Sequence, residues 1–528
     1  MKHNKEREKI EAFYDNKLIV RKGFEPMDIT SGINWDYQHD SNANTYQTYL
    51  HSLSIVNAMT IISKADGNEK LQENARDIIM DWHNTDHSKG NNFAWKEHPV
   101  SSRLNYIIDF QDFSENFKIN DKDFNEIISD HCDFLYTERN YKFNNHGLMM
   151  DYSLLNASKY ISDKTQKTMY TDKALYRIRY ALRRDFTRRG IHLENSPEYH
   201  RMVLMIFRKI ERKLKELRIP LGKQEKEILD LADQFKNIMI QPNQLYPIIG
   251  DTGTISDKRI IKNYNDFIDS EAGIAVIHNE NKKDNEKSTM LTFKCGYQSK
   301  THKHYDDLSS TLYIEGKELL VDSGKYSYNS KDPIRKHIIS PKGHNTILIK
   351  GKNYKLSTPF QDQFGLRLLR LSKKRNYKLI SGINKLYSNV NMTRHNILTE
   401  HNIYIVVDRI VSTELITSQQ NFNFNEKAVV NKIDNHNFEI QLDDETYVLK
   451  TFERYDSTIT SSIEKGYISR VFAEYNENKR VVFSQDSKNA TFISVILNKN
   501  KLSSLGEINL LNSKLNFTID DKKTTIDL

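Results

Sequence analysis

Residues 243–254 read NQLYPIIGDTGT, and the character of the chain changes across them. Before this stretch apolar residues recur at helical spacing, as Tyr46, Tyr49, Leu50, Leu53 and Val56 do. The spacing predicts helices over 45–62, 69–84, 99–113, 120–137, 145–160, 166–189, 197–218 and 223–239. Pro99 and Pro197 fall at first-turn positions, where proline is already in helical geometry. After the stretch the apolar runs are short and rich in β-branched residues. They include GIAVIH (273–278), STMLTF (288–293), TLYI (311–314), ELLVD (318–322), NTILIK (345–350) and NIYIVVD (402–408). The expectation is a multidomain α + β chain: an array of helix pairs over 1–260, solenoid or toroid, followed by an antiparallel β-sandwich over 261–528. No low-complexity linker intervenes, so a cleft between the two is the expected binding site.

Composition narrows the class. The chain has 528 residues, too long for one ordinary core. With 28% charged and 38% hydrophobic residues it reads as folded and soluble. Its net charge of +8 comes from 78 basic against 70 acidic residues, a mild excess compatible with a long anionic ligand. No arginine-rich stripe, zinc finger or RNA-binding aromatic motif points to nucleic acid. No apolar run is long enough for a membrane span. Cys132 and Cys295 lack metal or redox spacing and are expected as small buried apolar residues. The opening MKHNKEREKIEAFYDNK lacks the apolar core of a signal peptide, so a cytoplasmic, phage-borne, otherwise exported or trimmed chain is expected. Nothing in the sequence assigns an oligomeric state.

Three clusters carry chemistry. In FNNHGLMMDYS (143–153), Asn144, Asn145 and His146 precede an amphipathic stretch. They serve either as a helix cap or as donors aimed at an anion where the helix dipole favours one. In HLENSPEYHRMV (192–203), Ser196 and Pro197 look like a cap and first helical residue, which puts Tyr199 in the first turn. A phenol there is expected to have its anion favoured, unless it simply packs. In THKHYDDLSSTLYIEGKELLVDSGKY (301–326), His302 and His304 would share one face of a strand. His304, Asp322 and the His344 of SPKGHNTILI would make a two-nitrogen, one-oxygen set, better suited to Zn²⁺ than to Ca²⁺. A His-x-His pair alone is weak evidence; its conjunction with VDSG and HNT is stronger.

Taken in order, NNHG, ENSPEYH, the Pro247–Asp251 segment, HKHYDDLS, LLVDSGKYSY and GHNT resemble the heparinase II/III-like polysaccharide lyases, a group with related toroid-type alginate lyases. The resemblance covers roughly 90–350 well and the remainder only as a generic β-rich tail. It implies an (α/α) toroid, often incomplete, followed by antiparallel sheets, and β-elimination at a uronic acid of an anionic polysaccharide. By resemblance Asn145 and His146 bind the uronate carboxylate, Tyr199 is the catalytic tyrosine and His302 the catalytic histidine. His304, Asp322 and His344 would hold a largely structural metal, expected to be zinc. Trp95, His98 and Arg103 of AWKEHPVSSRLN resemble a substrate-lining segment, with packing as the competing role, and His200 is placed with them. Heparin or heparan sulfate is the favoured substrate class. A capsular polysaccharide, an exopolysaccharide or alginate is the alternative. A non-catalytic polysaccharide-binding protein and a metal-dependent hydrolase using His302, His304, Asp306 and Asp307 are competing readings.

Overall fold

The computed structural model describes residues 3–40, 42–87, 93–452 and 458–528. Ten helices cover most of the chain up to Met239: α1 (Asn4–Tyr14), α2 (Ala43–Leu50), α3 (Ser54–Asp66), α4 (Glu69–Asn84), α5 (Glu97–Phe113), α6 (Asp121–Tyr136), α7 (Asn145–Ala157), α8 (Lys164–Asp185), α9 (Pro197–Glu216) and α10 (Lys223–Met239). The helix expected over 45–62 is two helices. Leu53 breaks it in a left-handed conformation (φ 54°) with its side chain buried, and no glycine or proline marks the break. A two-stranded ribbon, β1 (Lys17–Leu18) and β2 (Met27–Asp28), lies between α1 and α2 in the chain.

The chain forms two compact units. Unit 1 is Met1–Arg184 with Met205–Lys226; unit 2 is Asp185–Leu204 with Glu227–Leu528. The switch from helix to strand falls between Met239 and Phe267, around the expected border at 260. Compactness divides the chain differently: the first turns of α9 and most of α10 belong with the β-rich unit.

In unit 1, α3, α5 and α7 pack in succession, while α4 lies against α3 and α5, and α6 against α5 and α7. Burial explains the alternation. The outer helix α4 buries one stripe, Leu71, Ala75, Ile78, Ile79 and Trp82. The inner helix α5 buries residues on nearly every side, including the small Ser101 and Ser102, which admit close neighbours. This is the layering of an (α/α) array.

Unit 2 is built on a five-stranded antiparallel sheet: β3 (Phe267–Asp269), β4 (Ile274–Asn279), β5 (Thr289–Lys294), β6 (Ser309–Ile314) and β7 (Lys317–Leu320). Side-chain alternation buries both faces. Ala275, Ile277, Leu291 and Phe293 meet the inner face of a ten-stranded sheet that begins with β8 (Ile347–Ile349) and runs to Asn498. Ile274, Val276 and Met290 face the other way, against Phe235 and Met239 of α10. The larger sheet is covered on its outer side by a small C-terminal sheet through Leu510, Leu515 and Phe517. Two packed antiparallel sheets are the expected sandwich. The turn between β6 and β7 has Glu315 and Gly316 both at positive φ, as a type I′ hairpin requires.

One local expectation fails at the site itself. His302 and His304 do not lie on a strand: β6 begins only at Ser309, and 301–304 form a turn and loop with His302 at φ 56°. Strand alternation therefore does not orient the pair; the loop brings both rings to one carboxylate, that of Asp251.

Candidate active site

The site in unit 2 is assembled by three chain segments. Asn195 takes a left-handed conformation (φ 57°), which asparagine tolerates better than most residues. Its amide donates to the carbonyls of Ser299 (2.7 Å) and Thr301 (3.1 Å), tying the start of α9 to the loop that carries His302. Ser196 Oγ lies 2.7 Å from Thr252 Oγ1 and donates to the Asp251 carbonyl (3.2 Å). Gly250 sits between these segments at φ 57°. A Cβ there would lie 2.5 Å from the Asn195 carbonyl oxygen, so only glycine permits the approach.

Asp251 is the centre of the resulting network. Its Oδ2 is 2.9 Å from His302 Nδ1 and its Oδ1 is 3.0 Å from His304 Nε2. Arg335 grips both oxygens, at 2.5 and 3.2 Å, from the short helix α11 (Pro333–Ile339) capped by Asp332. Burial alone would raise the Asp251 carboxyl, but the bonds to His302, His304 and Arg335 outweigh it and hold the group well below the usual carboxylate range. Asp251 closes the Pro247–Asp251 segment, and nothing local in the sequence signals this role.

His302 is thus fixed through Nδ1, and its ring stacks on Tyr199 with centroids 3.7 Å apart and planes 18° apart. The Tyr199 hydroxyl is 2.6 Å from that of Tyr328, and Lys325 Nζ lies 5.2 Å from the Tyr199 ring. Glu198 joins this corner by accepting from Gly253 N (2.9 Å) and Lys325 Nζ (3.3 Å). The expectation that the helix start would favour the Tyr199 anion is corrected. Burial and then the Tyr328 hydroxyl push the phenol upward, so Tyr199 stays protonated well into alkaline solution. Tyr328 closes the LLVDSGKYSY segment and Arg335 stands in no recognisable motif; the sequence marks neither as a site residue.

His304, Asp322 and His344 converge behind His302. One ligand atom from each lies within 4.8 Å of the others, and all three residues are buried. His304 Nε2 is engaged by Asp251, while its buried Nδ1 has no hydrogen-bond partner. His344 Nδ1 lies 2.8 Å from Asp322 Oδ1 yet makes no hydrogen bond, and Nε2 has none either. Lone pairs left over in a buried two-imidazole, one-carboxylate set fit a Zn²⁺-type ion, with Asp251 orienting one ligand from outside. Asn345 braces the set: its amide donates to the Val321 carbonyl (2.8 Å) beside Asp322. Asp306 and Asp307 are not among these three residues, although Asp306 lies within electrostatic reach of His304 and His344. Both aspartates hold the buried Lys303 ammonium, and Asp307 also accepts from Tyr354 (2.7 Å) and Gly296 N (2.9 Å).

Unit 1 holds the other expected residues. Asn144 caps α7 by accepting from His146 N (2.9 Å), leaving Asn145 at the first helical position. His146 Nδ1 is 3.1 Å from Glu97 Oε1, and this bond lowers the Glu97 carboxyl. His98 stands beside it, ring centroids 5.7 Å apart. Arg103 is not a surface residue. It is fully buried, with Trp82 3.7 Å below its guanidinium, and donates to His131 Nε2 and the carbonyls of His51 and Ala94. Packing, the competing role, describes it. Trp95 is half-buried against His131 and Phe134. In unit 2, His200 is likewise buried, its Nδ1 accepting from His192 N (3.2 Å) and its Nε2 3.0 Å from the Ala232 carbonyl. With both ring nitrogens used inside the protein, it cannot reach a sugar.

The heparinase II/III N-terminus model matches residues 2–272, and the heparinase II/III-like C-terminal model matches residues 268–503. Among solved structures, the heparan sulfate lyase HepC from Pedobacter heparinus is similar over 99% of this chain and 89% of its own, at 17% identity and a TM-score of 0.80. A crystal structure of heparinase III is similar over 99% of this chain and 90% of its own, at 18% identity and a TM-score of 0.80. No curated protein sequence matches significantly. Helices followed by antiparallel sheets are the fold these structures share, and the two models together span nearly the whole chain, which belongs to the heparinase II/III-like family of polysaccharide lyases.

Proposed function

We propose that the protein cleaves a uronic-acid-containing anionic polysaccharide by β-elimination, with a heparan sulfate-type chain as the favoured substrate. The observation that carries this reading is the stacked pair of Tyr199 and His302, one held protonated and the other anchored through Nδ1 to Asp251. The C5 proton of a uronate is very weakly acidic, because removing it adds a second negative charge beside the carboxylate. Donors must offset that charge. Asn145 and His146 supply an amide and an imidazole N–H at a helix start. A base takes the C5 proton and an acid protonates the departing O4. Tyr199, kept neutral by its surroundings, is the acid. His302, with Nδ1 committed to Asp251 and Nε2 3.8 Å from Glu194 Oε2, offers Nε2 as the base; when the C5 proton and O4 lie on one face, Tyr199 would first have to lose its own proton to solvent, then take the C5 proton as phenolate and pass it to O4.

A divalent ion held by His304, Asp322 and His344 would serve as a structural tie, neutralising Asp322 and fixing His304. The fixed His304 in turn restrains Asp251, and Asp251 restrains His302. The substrate class rests on the heparan sulfate lyase and heparinase III likeness and on the net positive charge. The test is incubation with heparin, heparan sulfate, unsulfated heparosan, hyaluronan, chondroitin sulfate and alginate while following the ultraviolet absorbance of unsaturated uronate. The reading expects it to grow with heparan sulfate or heparosan; no growth with any uronate polymer would sink it.

A further inference from the structure

A cleft in unit 1 adjoins the His98–His146 pair. It encloses about 400 Å³, within the roughly 300–1,000 Å³ of small-ligand sites. Its lining brings together Lys5 and Lys9 of α1, Arg21 and Lys22 of the segment after β1, and the Tyr49 and His98 rings. Against four cations it holds one carboxylate, Glu8. The Arg21 guanidinium lies 4.4 Å from the Tyr49 ring centroid, so the aromatic face holds the planar group while its N–H edges stay exposed. Lys9 Nζ donates to Ser54 Oγ (2.9 Å), and burial lowers its pKa. Among the described residues Lys5, Arg21 and Lys22 pair with no carboxylate. Uncompensated positive charge in a concavity raises the free energy of the empty protein and is offset when an anion enters. His98 joins this cleft to the uronate-binding pair: it lines the cleft, and its buried Nδ1 lacks a partner.

We infer that this cleft is an anion subsite, in which Arg21, Lys22 and Lys9 engage a sulfate or carboxylate on a sugar near the one held at Asn145 and His146. The identity of the polymer rests on the lyase reading; the anion site does not. Arg21 and Lys22 are exposed, so removing them leaves the core intact.

The experiment compares wild type, the Arg21→Ala/Lys22→Ala double variant, and a Lys522→Ala/Lys523→Ala control that removes the same charge from an exposed strand of unit 2. Calorimetric binding of size-defined heparosan and heparan sulfate oligosaccharides needs no turnover. The double variant is expected to bind roughly tenfold or more weakly, since charged hydrogen bonds are lost, and the control is not. Weakening for both polymers identifies a carboxylate; weakening for the sulfated polymer alone identifies a sulfate. Affinities matching the control for both polymers would overturn the subsite. If wild type makes no unsaturated product yet the binding difference persists, the lyase reading falls and the subsite stands.

Discussion

His98 and His146 in unit 1 and His302 and His304 in unit 2 form two histidine pairs held by different means. The His146 side chain is 37% exposed and rests on one hydrogen bond to Glu97 at the start of a helix. His302 is 15% exposed and His304 is fully buried, and both are clamped by one buried carboxylate that Arg335 grips in turn. Burying a carboxylate is costly unless every lone pair is used. Unit 2 therefore couples the position of its reactive histidine to its own stability, whereas in unit 1 His98 is half-buried and His146 is the member presented at the surface. Changes to the second pair should damage fold and activity together; changes to His146 should damage activity alone.

The largest effect sought is at Tyr199. Tyr199→Phe keeps the ring that stacks on His302 and removes only the hydroxyl, so turnover should drop by roughly 10²–10⁴-fold with an unchanged melting temperature. In the wild type the alkaline fall in kcat should lie above the ordinary phenol value of about 10, because the acid must stay protonated and its surroundings raise it. Near-normal kcat in the variant would remove Tyr199 from the chemistry.

Asp251→Asn should break the second pair at its centre. It leaves the largely buried Arg335 guanidinium, 11% exposed, without its counter-charge, at a cost of about 3 kcal/mol measured by denaturant unfolding, and lowers kcat as well. A variant that unfolds like wild type would show that the two histidines are not coupled through this carboxylate. His146→Ala should instead lower kcat by roughly 10²-fold while unfolding as wild type does, because a donor to developing charge is lost from an exposed site. Loss of stability there would erase the contrast between the pairs.

The smallest effect concerns the metal. Elemental analysis should find about one equivalent of zinc, lost in His304→Ala. Chelation should lower the melting temperature of wild type and leave that variant unmoved. Equal response to chelator in both would count against His304 as a ligand.

Much of this was legible in the sequence. α4 and α10 fall where apolar spacing placed them, and Ser196–Pro197 marks the start of α9, because caps and periodicity are local signals. The convergence of His304, Asp322 and His344 follows from family resemblance. What escaped was long-range or unsignalled. The loop at His302 carries no glycine to announce its positive φ, so it passed for a strand. Asp251 draws its meaning from His302, more than 50 positions away, and from Arg335 beyond that. Arg103 could be read as substrate-lining as readily as packed, since nothing in AWKEHPVSSRLN records that its partners come from the end of α2, α6 and the segment before α5. Pairwise burial of this kind leaves no periodic trace.

The central claim is that the bond breaks by elimination. Mass spectrometry of the products from heparosan or heparan sulfate decides it, because elimination leaves a new non-reducing end lighter by one water than hydrolysis does. The account predicts unsaturated ends throughout the wild-type digest and hardly any product from Tyr199→Phe. Shortened chains that have gained water would contradict it.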